Sequence, residues 1–299
     1  MIKRTLYFGN PGYLRKNSQQ LLIEYPDKDK DSSTVPIEDI GIMILDHPQV
    51  TITQALLSSL VENNVAIINC NYQHLPEGLM LPMYGHHAFT EKVREQVNAS
   101  EPLKKNLWQQ TVIAKINNQS AVLKTLGLKN NNMQYWSEKV RSGDPDNYEA
   151  RAAAYYWDVL FEGIPDFRRH RYGDPPNNLL NYGYAVLRAV IARSLVASGL
   201  MTFMGIHHRN KYNPYCLADD IMEPYRPYVD LVVIDILKQE DEIEELTTDI
   251  KRKLLIIPAM DITMNGQKSP LMLGAGRTSA SLMRCFEKSE RKIIYPKLL

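Results

Sequence analysis

Three cysteines in 299 residues, Cys70, Cys216 and Cys285, lie far apart with no C-x-x-C pair. A disulfide framework and a cysteine zinc site are therefore excluded, and free thiols in a reducing compartment are expected. The chain also lacks any excess of charge, with a formal net charge of +1. A nucleic-acid binder of this composition has to gather its positive charge on one face. No apolar run is long and uncharged enough to cross a membrane, because the window from Val186 to Met204 carries Arg188 and Arg193. The start at Met1 runs directly into strand-like alternation without a signal-peptide h-region, so a cytoplasmic protein is expected. Internal repeats and a Walker lysine are likewise missing. With 44% hydrophobic and 23% charged residues, what remains is an ordinary globular chain.

Residues 1 to about 75 read as β-rich, with strands at 4–8, 14–25, 37–45, 50–53 and 65–70 and a single helix from Thr53. Pro76, Gly78, Pro82 and Gly85 then punctuate a boundary between Gln73 and Ala88. After it the apolar spacing turns helical, over 89–97, 102–124, 134–141, 148–161, 180–198, 217–239 with a kink at Pro224, and 279–288. The expected fold is α+β: a small, sandwich-like N-terminal β domain over 1–85 and a larger all-α catalytic domain over 88–299. Gly274 to Ser279 reads as a turn before the last helix.

The chemistry concentrates between Gly199 and Pro227. His207 and His208 adjoin there, and Asp219, Asp220 and Glu223 follow on one helix, where positions three and four apart share a face. Clustered carboxylates repel unless a cation lies between them, and a nearby imidazole adds a nitrogen donor. A charged helix side is the plainer reading of the same residues. Upstream, Asp144 or Asp146 can cap the helix that begins near Tyr148, and Glu149 falls in its first turn. Glu149 is thus either a dipole-favoured acid or a ligand meeting the His208 and Glu223 region. Gly183, inside the long apolar helix, points to close approach by another backbone. The basic residues Arg168, Arg169, His170, Arg171, Arg188, Arg193, Arg209, Lys211 and 251–253 are solvated charge taken singly, and phosphate contacts if a metal site lies among them.

Three segments together carry a resemblance: Asn147 to Ala150, Asn178 to Tyr184, and Gly205 to His208 followed by Leu217 to Pro227. In order and spacing they resemble the CRISPR-associated protein one family, the integrase-endonuclease of spacer acquisition, and within it type II members. The resemblance implies a divalent cation, Mg²⁺ or Mn²⁺, held by Glu149, His208 and Glu223. Many members have aspartate at the last of these positions, which leaves Asp220 as a second or assisting ligand. Tyr182 falls where the family often has a tyrosine near the substrate, and Arg209, Lys211 and Arg226 are expected phosphate contacts. Implied further are metal-dependent joining of the 3′-hydroxyls of short double-stranded DNA fragments to CRISPR repeat DNA, a homodimer built through the N-terminal domain, and CRISPR-associated protein two as partner. A catalytically idle DNA-binding scaffold of the same fold and a helical metallohydrolase of small phosphate esters stand as alternatives.

Overall fold

The computed structural model describes residues 3–27, 29–170, 173–240, 243 and 245–298. Arg171 of the basic set lies outside the described residues. The chain divides into two compact units, Met1–His87 and Ala88–Leu299.

In the first unit, β1 (Arg4–Phe8), β5 (Ile40–Leu45), β7 (Ala66–Cys70) and β8 (Pro76–Met80) form one sheet in that order. The second sheet runs β4 (Ser33–Pro36), β3 (Gln20–Glu24), β2 (Gly12–Asn17), β6 (Val50–Ile52). β5 pairs in parallel with both neighbours and is buried along nearly its whole length, which is why it reads as an unbroken apolar run. Leu14, Leu21 and Ile23 of one sheet meet Ile40, Met43 and Ile67 of the other in a single core. Leu56 and Leu60 of α1 (Gln54–Glu62) join them. β8 occupies part of what reads as a boundary segment. Pro76 at its start and Gly78 within it are tolerated because β8 is an edge strand, paired only with β7.

The second unit is built on α3 (Glu101–Thr125), preceded by α2 (Phe89–Val97). Ser100 caps α3 by accepting from the Leu103 amide at 3.4 Å. Its buried positions Trp108, Thr111, Val112, Lys115, Asn118, Gln119 and Val122 recur at helical spacing and form one face. Around it lie α4 (Met133–Lys139), α5 (Tyr148–Leu160), α6 (Asn177–Ala197), α7 (Cys216–Met222), α8 (Arg226–Gln239) and α9 (Thr248–Leu254). The expected kink at Pro224 is a 3₁₀ turn, Glu223–Tyr225, separating α7 from α8. Gly183 of α6 does admit a neighbour, but through side chains. A Cβ there would stand 2.5 Å from Val229 of α8.

Two expectations need correction. The unit is not all-α, because β9 (Asp261–Met264) and β10 (Gln267–Pro270) form a hairpin closed by Asn265 and Gly266, both at positive φ. Nor is Gly274 to Ser279 a turn. It lies inside α10 (Leu271–Phe286), where the bare Gly274 leaves room for Ile262 of the hairpin. Among the described residues no helix is long and apolar enough to cross a membrane.

Candidate active site

Asp144 takes over the capping of α5. Its carboxylate accepts the amides of Tyr148 at 3.0 Å and Glu149 at 2.9 Å. Asp146 instead holds Arg141 through a fork of contacts at 2.9–3.0 Å. With the cap supplied, the Glu149 side chain is free to reach the ammonium of Lys115, with which it forms an ion pair. Glu223, buried at the start of the 3₁₀ turn, reaches the same ammonium at 2.6 Å through Oε2. Its Oε1 faces Arg226 Nε at 2.8 Å. Asn118, one turn along α3 from Lys115, donates to the Pro224 carbonyl at 2.7 Å and pins the turn in place.

Burial alone would raise the Glu223 pKa, but Arg226 and then Lys115 outweigh it and hold the carboxyl down at about 2. Burial pulls the Lys115 ammonium the other way, toward deprotonation, and Glu223 and Glu149 reverse that shift. Glu223 and Lys115 are therefore both charged throughout the physiological range.

The histidine loop is wrapped around a second acid. Asp220 Oδ2 accepts from the Ile206 amide at 2.7 Å and the His207 amide at 3.0 Å. Oδ1 accepts from the His208 amide at 3.2 Å and contacts His208 Nδ1 at 2.5 Å. A Cβ at Gly205 would strike the His208 carbonyl and lie 2.7 Å from Asp220 Oδ2, so the loop needs glycine there. His207 stacks flat on Trp108 of α3, with ring centroids 4.1 Å apart and 3° between planes. His208 meets the same indole edge-on at 5.8 Å. The hydrogen bond to Asp220 raises the His208 pKa against the opposing effect of burial, and burial lowers that of His207.

These contacts redistribute the predicted roles. Asp220, the expected second or assisting ligand, is fully buried, and both its oxygens accept hydrogen bonds from the loop. It fixes His208 by Nδ1 and leaves Nε2 as the ring nitrogen for any other partner. Arg226, an expected phosphate contact, has its guanidinium on Glu223 and 4.6 Å above the Tyr184 ring. Tyr182 is buried, with Lys251 Nζ 5.9 Å from its ring centre, and does not line the surface. Arg209 and Lys211 do line a cleft of about 420 Å³ together with His208, Lys104, Glu101 and Phe203. Arg209 pairs there with Glu101 at 2.5 Å. Asp219 turns away from Glu223 to Arg188 at 2.6 Å and Asn213 at 2.7 Å.

Glu149 and Glu223 thus converge on one cation, and His208 adds to the field that keeps Glu223 ionised. Among the described residues no three His, Cys, Asp or Glu side chains are gathered closely enough to hold a metal; the cation between the two acids is Lys115. The donor set nevertheless suits a hard divalent ion. Two carboxylates from separate helices already meet at one positive centre, beside an imidazole whose orientation is fixed from behind.

A model of the family described as CRISPR associated protein Cas1 matches residues 6–250. The chain belongs to the Cas1 family. It is 37% identical to the CRISPR-associated endonuclease Cas1 of Neisseria meningitidis serogroup C, over 100% of this chain and 97% of that protein. A Saccharolobus solfataricus relative, CRISPR-associated endonuclease Cas1 2, is 28% identical over 79% of this chain and 76% of its own. The fold is shared with a Cas1 protein from Thermotoga maritima, at TM-score 0.76 and 15% identity over 95% and 97% of the two chains. It is shared also with a casposase bound to integration product, at TM-score 0.81 and 20% identity over 98% and 92%.

Behind the Cas1 acid pair lies a buried cluster that the sequence reading missed. Asp230 of α8 accepts from the hydroxyls of Tyr156 at 2.8 Å and Tyr184 at 2.5 Å. Burial lifts its carboxyl to about 6 despite these bonds. Since Tyr184 also carries Arg226 on its face, this cluster backs the wall on which Glu223 is held.

Proposed function

We propose that the chain is a metal-dependent DNA endonuclease and integrase of CRISPR adaptation, joining the 3′-hydroxyl ends of short double-stranded fragments to the repeat array. The observation that carries this reading is the meeting of Glu149 and Glu223 at a single cation beside a histidine oriented through Nδ1. Glu149, Glu223 and His208 Nε2 would hold Mg²⁺ or Mn²⁺, which when bound supplies Lewis acidity to a phosphoryl oxygen and lowers the pKa of the attacking hydroxyl. Joining is an exchange of phosphodiesters. The fragment's 3′-oxygen forms a P–O bond as the repeat's own P–O3′ bond breaks, so the step needs no external energy source. Asp220 and Trp108 keep the His208 ring in place for this, and Asp144 frees Glu149 by capping α5. Arg209 and Lys211, at the open cleft, are the phosphate contacts.

The neighbours that share the fold, a casposase bound to integration product and a complex containing Cas1 and Cas2, support DNA and CRISPR-associated protein two as partners here. A homodimer formed through the N-terminal unit and a cytoplasmic location belong to the same reading. The test is strand transfer from a short duplex with free 3′ ends into a supercoiled plasmid bearing the repeat, with and without chelator. Joining should require Mn²⁺ or Mg²⁺ and vanish in His208→Ala. Full joining by purified His208→Ala protein would refute the site.

A further inference from the structure

Lys115 is out of character with its surroundings. It stands on the inward face of α3 among Trp108, Thr111, Val112, Asn118 and Gln119, and it is itself buried. Lysine is almost never buried unless paired, and here the partners are the two acids assigned above to a divalent ion. It uses the inner oxygens, Glu149 Oε1 and Glu223 Oε2, while Arg226 takes Glu223 Oε1. The four charges, two carboxylates against Lys115 and Arg226, cancel before any metal arrives. Adding a divalent ion would leave two uncompensated positive charges, with an ammonium pressed against the ion.

The two cations differ in how readily they can leave. Arg226 is a planar fork clamped between Glu223 and the Tyr184 ring. Lys115 is a compact charge on a flexible four-carbon arm, and only its tip is bound. We infer that Lys115 is a resident cation of the acid pair: its ammonium holds Glu149 and Glu223 together in the metal-free protein and is expelled from between them when a divalent ion binds. This deepens the metal assignment above and rests on it. Metal affinity is then set in part by the cost of displacing an internal charge. A DNA phosphate, by giving the expelled ammonium a new partner, lowers that cost, so metal and DNA bind cooperatively.

The test is Mn²⁺ titration calorimetry on the full-length protein without DNA, comparing wild type with Lys115→Met and Glu149→Gln. Lys115→Met should bind Mn²⁺ about tenfold more tightly or better, the scale on which a neighbouring charge moves an ionic equilibrium. In EDTA the same variant should melt below wild type, and it should gain more from added Mn²⁺. Binding by wild type that is lost in Glu149→Gln yet no tighter in Lys115→Met would overturn the role of Lys115 and leave the metal site standing. No saturable Mn²⁺ binding by either wild type or Lys115→Met would remove both. A second measurement does not depend on the Met variant folding. In wild-type protein carrying ε-¹³C lysine, the Lys115 signal, assigned with Lys115→Arg, should move toward that of a solvent-exposed lysine on saturation with Mg²⁺. A signal that stays in place would equally overturn the inference.

Discussion

Glu223 and Asp230 lie about two turns apart along one broken helical path, both buried, and their carboxyls are pushed in opposite directions. Glu223 is surrounded by Arg226, Lys115 and, at longer range, His208, and is held at about 2. Asp230 receives two tyrosine hydroxyls, with the guanidinium groups of Arg226 and Arg169 further off, and rises to about 6. Burial penalises the charged form equally in kind, so the partner decides the outcome. Direct cations overcome desolvation, whereas neutral donors only soften it. The protein thereby keeps one acid ionised at the candidate metal site down to strongly acid pH, and behind it a second acid that takes up its proton once the pH falls to about 6.

The strongest way to break this comparison is to neutralise each acid in turn. Glu223→Gln should abolish strand joining and strand Lys115 and Arg226 beside an uncharged amide. The lost buried pairing should cost about 3 kcal/mol or more, read as a lower melting temperature in EDTA. Asp230→Asn should retain joining. Equal loss of joining in the two variants would erase the distinction between a ligand and a support.

A third acid sharpens it at intermediate scale. Asp220 is as buried as the other two, but its partners are three backbone amides and the His208 ring. Asp220→Asn keeps the shape while weakening the grip on Nδ1. It should lower Mn²⁺ affinity by roughly 10–100-fold, the usual penalty for losing the group behind a ligating histidine. Because Asp220 raises the His208 pKa, the wild-type ring resists giving up its proton. Metal binding should therefore strengthen as pH climbs through and above the ordinary histidine range, and the variant should shift that rise to lower pH. Unchanged affinity and an unchanged pH profile would show that the Asp220–His208 contact does not matter to the site.

Much of this was legible in the residues. The candidate site was drawn from Gly205, His208, Glu223 and Glu149 because each stands in a motif of fixed spacing, and the break at Pro224 followed from proline's missing amide. The β9–β10 hairpin had a local signal in Asn265-Gly266, a strong turn pair; the polar Gln267-Lys268-Ser269 that follows and the surrounding helical pattern masked it. Lys115 and Trp108 were not legible. On sequence each is one residue in a long helix whose buried face mixes polar and apolar side chains, and its role comes from partners more than thirty residues away. The same limit applied to Arg226 and Tyr182, expected by position at phosphate and substrate: Arg226 is engaged by Glu223 and Tyr182 is buried.

The smallest expected effect concerns Asp230 alone and is one of slope. Its folded carboxyl keeps its proton up to about pH 6, whereas a carboxyl with the ordinary value of 3.8 has lost it well below that. Between the two values the folded state binds more protons than the unfolded state, so stability from this group is complete below the lower value. It is lost as pH rises through the higher one, and no further change follows above it. Over that window the contribution falls by at most about 3 kcal/mol, from roughly two pKa units at 1.36 kcal/mol each. Asp230→Asn cannot titrate and should lack this component. Urea unfolding followed from about pH 4 to 7 should thus show the variant gaining on wild type as pH rises, then running parallel to it. Parallel curves throughout would mean that the two hydroxyls stabilise the Asp230 anion as well as water does, and the contrast with Glu223 would then rest on metal-site chemistry alone.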